Sequence, residues 1–136
     1  MNGLFAVRVG AIWMALAVGL GAFGAHALKP RLELFESVET WRTAVTYQAW
    51  HALALILLGV VTLVGREPLP LKAGSRVGYL FLIGSILFSG SLYLLSTQPS
   101  ATWAGPVTPL GGLLLIFGWL GFARLAGAAS TPKSGD

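Results

Sequence analysis

The chain has 136 residues, 55% of them hydrophobic and only 10% charged, with a formal net charge of +4 and no cysteine. Ordinary globular chains carry roughly 25% charged residues, so a soluble fold of this length could not cover its surface, whereas a bilayer asks for apolar surface. The missing cysteines exclude disulfides, thiolate metal sites and cysteine nucleophiles, and the basic residues flank apolar runs instead of clustering among aromatics, which excludes nucleic-acid binding.

Four apolar segments have the length of about 17–25 residues that a hydrocarbon core requires. They predict an all-α fold, an integral membrane four-helix bundle over residues 1–126 with a flexible tail at 127–136. The predicted helices cover about 4–28, 37–65, 76–97 and 108–126. With four spans, the N-terminus, the second loop and the C-terminus share one side, which holds Arg8, Arg66, Lys72, Arg76, Arg124 and Lys133. The other side holds Lys29, Arg31 and Arg42, so the excess of lysine and arginine predicts that both termini are cytoplasmic. The first span ends in Ala25-His26-Ala27, an A-x-A cleavage pattern, but its apolar run is long for a signal peptide and is read as a retained helix.

Within the first helix, "GLGAFG" from Gly19 to Gly24 matches G-x-G-x-x-G, with Glu39 about 20 residues on, as in dinucleotide-binding sites. That fingerprint needs a preceding strand inside a βαβ unit, and this one lies within a single apolar run. Small residues in such a run let helix backbones approach closely. Ala17, Gly21 and Ala25 recur every four residues, and with Gly24 they predict a packing face.

The second helix is expected to begin outside the hydrocarbon, with Ser37 as N-cap and Glu39 in the positive first turn. From there to Gly65 it would reach roughly 40 Å at 1.5 Å per residue. Thr40, Thr43, Tyr47 and His51 share one sector of it, with Ala44 and Gln48 alongside. A polar stripe on a membrane helix should face protein or water. His26, Thr43, Tyr47, Gln48 and His51 therefore form the candidate functional cluster. His26 and His51, expected at similar depth, could ligate a metal ion or a haem, since imidazole is the commonest metal ligand; with Tyr47 they could also carry protons. The alternative is that each imidazole bonds to a backbone carbonyl or to a carboxylate such as Glu33 or Glu36 and ties down a helix end, and this is the reading adopted, with no metal site assigned. Trp41, Trp50 and Trp103 are expected in an interfacial belt. Glu33, Glu36 and Glu39, three apart, read as a solvated acidic ridge outside the membrane.

On the third helix Ser85, Ser89 and Tyr93 recur every four residues, a mildly polar face suited to interhelical hydrogen bonds. "TPLGG" predicts the fourth helix to start with Thr108 as N-cap and Pro109 at the first helical position, followed by Gly111, Gly112 and Gly118 as close-packing positions. The spans contain no paired carboxylates, Ser-His-Asp set or phosphate loop.

"GAFGAHAL", "WRTAVTYQAWHALAL", "FSGSLY" and "TPLGG" with the following "GW" together resemble the family called domain of unknown function 423, which includes relatives of the eukaryotic transmembrane protein 256. The resemblance runs from the first helix to the fourth. It places the family pattern on Gly21, Gly24, His26, Trp41, Thr43, Tyr47, His51, Ser89, Tyr93, Thr108, Pro109 and Gly112. It implies a four-helix integral membrane protein, here of a bacterial inner membrane, and supplies no activity. The expected role is a structural or accessory subunit of a membrane assembly, as a homo-oligomer or with another membrane protein, without a cofactor. The alternatives are haem or metal binding at the outer face, or a proton or small-solute pathway along the second helix.

Overall fold

The computed structural model describes residues 1–64 and 71–129. They form α1 (Gly3–Ala25), a short α2 (Lys29–Leu34), α3 (Val38–Val64), α4 (Leu71–Thr97), a 3-10 turn (Thr102–Ala104) and α5 (Val107–Ala129). Four of these helices are long and apolar enough to cross a membrane. They pack as a bundle in which α1 lies on α3, α3 on α4, and α4 on α5, so that α3 and α4 are central and α1 and α5 flank them.

Several boundaries differ from expectation. The first helix closes at Ala25 rather than continuing to residue 28, because Pro30 has no N–H for the carbonyl of residue 26 and its ring would crowd it. The chain turns through His26–Leu28, with the Leu28 amide donating to Phe23 O at 2.9 Å. It then forms α2, anchored by the buried Leu32. This helix ends in a Schellman pair, Ser37 N–H to Leu32 O at 2.9 Å and Glu36 N–H to Glu33 O at 3.1 Å, with Glu36 in the left-handed region at φ 50°. Glu33, Glu36 and Glu39 thus lie on three different elements and form no ridge; Glu33 faces Lys29 at 3.7 Å and Glu39 faces Arg42 at 2.8 Å.

At the start of α3, the Ser37 hydroxyl is directed away from the helix it was expected to cap. It donates to Ser96 O at 2.8 Å, while Arg31 donates to Thr97 O at 2.8 and 3.1 Å. A cation on the last carbonyls of α4 suits the negative end of its dipole. α4 begins at Leu71, earlier than expected, since Leu71-Lys72-Ala73 favours helix. α5 begins at Val107, which puts Thr108 inside the helix, where its hydroxyl bonds to that of Ser91 at 2.7 Å instead of capping. The helix continues to Ala129, past the expected start of the tail; Gly65, Arg66 and Lys133 lie outside the described residues.

Inside lipid, apolar surface gains nothing by leaving water, so close contact and hydrogen bonds must hold helices together. On α1 four of the five buried small residues, Gly3, Gly10, Ala17 and Gly24, are spaced by seven, and the fifth, Ala6, lies between the first two. Seven residues fall about 20° short of two whole turns, whereas four overshoot one turn by about 40°. The expected four-residue row Ala17, Gly21, Ala25 therefore drifts off the seam, with Gly21 half-buried and Ala25 exposed. A Cβ on Gly10 would lie 2.8 Å from Ala52 O, and one on Gly59 2.6 Å from Gly3 O. Across α4 and α5, a Cβ on Gly111 would strike the Phe88 backbone, and one on Gly118 would meet the Phe81 ring at 2.8 Å. Gly112 makes only ordinary contact with the Phe88 ring.

Candidate functional site

The polar stripe of α3 divides once the neighbouring helices are in place. Gln48 is fully buried and turns toward α1 and α4. Its Nε2 donates to Trp13 O at 3.0 Å and its Oε1 accepts from the Tyr93 hydroxyl at 2.8 Å, so one amide joins three helices. The Trp13 indole donates to Ser85 Oγ at 2.8 Å, a direct bond from α1 to α4. Trp41 lies over Gly24, where a Cβ would overlap its indole; the ring donates to Leu20 O at 3.1 Å and packs 4.6 Å from Tyr93. It is buried near the start of α3, whereas Trp50 and Trp103 are exposed.

His51, three residues beyond Gln48 and just short of a full turn, faces α5 instead. Its Nε2 accepts from the Trp119 indole at 3.2 Å and its Nδ1 lies 2.7 Å from Tyr47 O. An acceptor role at Nε2 puts the proton on Nδ1, where it is donated to the Tyr47 carbonyl, so a neutral ring uses both nitrogens. Phe81 closes the pocket, with its ring 5.0 Å from Trp119 and 5.9 Å from the imidazole.

The other candidates are elsewhere. Tyr47 is half-buried and stacks on Phe88 at 4.5 Å. Thr43 is exposed, its hydroxyl donating to Glu39 O at 2.8 Å. His26 is exposed at the end of α1. Gly24 is level with Trp41, and His51 lies ten residues farther along α3, roughly 15 Å at 1.5 Å per residue. The two imidazoles are therefore not at similar depth and cannot share a metal or haem as placed. Among the described residues no three His, Asp or Glu side chains converge on a possible metal position.

Of the expected packing residues on α4, Ser85 and Ser89 are both fully buried, but only Ser85 has a partner; Ser89 Oγ has none among the described residues. Sequence reasoning missed Trp13 and Trp119 as donors. Their position inside the spans was the available signal, since an interfacial belt does not account for a mid-span indole and a buried N–H needs an acceptor.

Four apolar helices around a hydrogen-bonded interior define a multi-pass helical membrane protein. Residues 20–112 match the family described as protein of unknown function (DUF423), and the chain belongs to that family. Among its relatives, the UPF0382 membrane protein YwdK of Bacillus subtilis is 42% identical over 115 residues, which cover 84% of this chain and 89% of the relative. A UPF0382 membrane protein of Staphylococcus haemolyticus is 40% identical over 114 residues, 84% and 88% of the two chains. One from Schizosaccharomyces pombe is 36% identical over 116 residues, 82% and 92%, so relatives occur in bacteria and in yeast. No solved structure matches the chain.

Proposed function

We propose that this protein is a small accessory or scaffold subunit of a bacterial inner membrane, with both termini cytoplasmic, that assembles with a second copy of itself or with another membrane protein. The observation that carries this reading is the outward face of α1. Ala11, Ala15, Gly19 and Ala22 form an exposed row, and a Cβ built on Gly19 meets no atom within 4 Å. Small residues repeated every turn on a face turned to lipid suit the close approach of another helix. The interior supports the same reading, because Gln48 spends its amide on α1 and α4 and His51 spends its ring on Tyr47 O and on Trp119 of α5. The orientation follows the basic residues: Arg8, Lys72, Arg76 and Arg124 at one end outnumber Lys29, Arg31 and Arg42 at the other.

Gly19→Leu should shift the purified protein from oligomer to monomer in light scattering, with its thermal midpoint unchanged because the added side chain enters open space. A wild-type protein that is monomeric in mild detergent and recovers no membrane partner after crosslinking in cells contradicts the proposal.

A further inference from the structure

On the surface formed by α4 and α5, Arg76, Tyr79, Leu80, Ile83 and Leu114 line a groove of about 350 Å³. Positions 76, 79, 80 and 83 follow the i, i+3, i+4, i+7 spacing of a single helix face. Arg76 stands at the end nearest the start of α4, and the aliphatic residues continue toward the middle of the span. The Arg76 guanidinium and the Tyr79 hydroxyl are both exposed, and neither has a hydrogen-bond or ion-pair partner among the described residues.

Among the described residues, the charges at this end are all basic. Lys72 precedes Arg76 by one turn on the same face, and Arg124 comes from the end of α5, which lies level with the start of α4 because Gly121 packs on Val77. The described carboxylates, Glu33, Glu36 and Glu39, are all at the opposite end of the bundle. An arginine with no carboxylate partner among the described residues, above a groove lined by Tyr79, Leu80, Ile83 and Leu114 on a lipid-facing surface, complements one kind of molecule: an anionic head on an acyl chain.

We propose that this groove binds an anionic phospholipid. Arg76 takes the phosphate in a charge-assisted, forked hydrogen bond, with Lys72 and Arg124 adding to the local field. Tyr79, one turn deeper, donates to an ester carbonyl of the glycerol backbone. Leu80, Ile83 and Leu114 seat the first part of an acyl chain. With the orientation proposed above, the lipid belongs to the cytoplasmic leaflet, where anionic lipids attract such basic positions.

The test is native mass spectrometry of the full chain from neutral detergent, with an equal mixture of phosphatidylglycerol and phosphatidylcholine carrying identical acyl chains. The expected result is retention of phosphatidylglycerol over phosphatidylcholine by about fivefold, the gain associated with one basic residue near a membrane surface. Arg76→Gln should bring the two lipids to near parity, and Ile83→Trp, which fills the groove without changing charge, should do the same. Both positions are exposed, so the fold is expected to persist, which circular dichroism would verify. Arg42→Gln, at the opposite end and paired with Glu39, should leave the preference intact. Parity in the wild type, or a preference that survives in either groove variant, overturns the proposal.

Discussion

The contacts within each helix pair and those between the pairs differ in what sets their closest approach. Within the pairs α1–α3 and α4–α5, glycines let backbone meet backbone or receive an aromatic ring, as at Gly10 against Ala52 and Gly118 against Phe81. Between the pairs, hydrogen bonds run from side chain to side chain, Trp13 to Ser85, Tyr93 to Gln48 and Trp119 to His51, beside the apolar cluster of Leu55, Leu58, Val77 and Phe81. Within α1–α3, by contrast, Gln48 and Trp41 donate to backbone carbonyls. Since burial from lipid supplies no hydrophobic gain, contact density sets how closely two helices approach, and hydrogen bonds set how the pairs are turned against each other.

The largest effect should come from filling a seam within a pair. Gly10→Leu puts side-chain atoms against the Ala52 carbonyl and Ile56, and backbone cannot give way as a side-chain tip can. A loss of about 3 kcal/mol is expected in detergent unfolding, the upper range for overpacking. Gln48→Leu removes one of the three bonds between the pairs, leaves the Tyr93 hydroxyl without an acceptor, and also deletes the donor to Trp13 O. It should cost about 2 kcal/mol by the same measurement. Trp119→Phe keeps most of the ring volume but deletes the donor to His51; about 1 kcal/mol is the expected loss. The smallest change should be a gain: Ser89→Ala removes a buried hydroxyl that has no partner among the described residues, and should raise stability by about 0.5–1 kcal/mol.

The spans were legible because hydrocarbon thickness leaves a strong signature in length and polarity, and Gly111 and Gly118 could be picked out because a glycine inside a helix costs stability unless close packing uses it. The seam on α1 was misread because "GLGAFGA" offers a four-residue rhythm locally, while the packing follows a seven-residue rhythm that begins at Gly3. The polar stripe of α3 was visible, but its division was not. Gln48 and His51 differ by only about 60° around the helix, and which neighbour each meets depends on where α4 and α5 lie. His26 and His51 were expected at similar depth because the first helix was drawn too long and its turn at Pro30 was not anticipated. The indoles of Trp13 and Trp119 were passed over since tryptophan in a membrane chain is so often interfacial.

Gln48 and Tyr93 offer the most direct test of the claim that the pairs are joined by hydrogen bonds. A double-mutant cycle of Gln48→Leu and Tyr93→Phe, read by unfolding in detergent, should give a coupling energy of about 0.6–2 kcal/mol, as expected for an interhelical bond in a membrane protein. Losses that simply add would mean that the two side chains are neighbours without being partners, and would contradict the account.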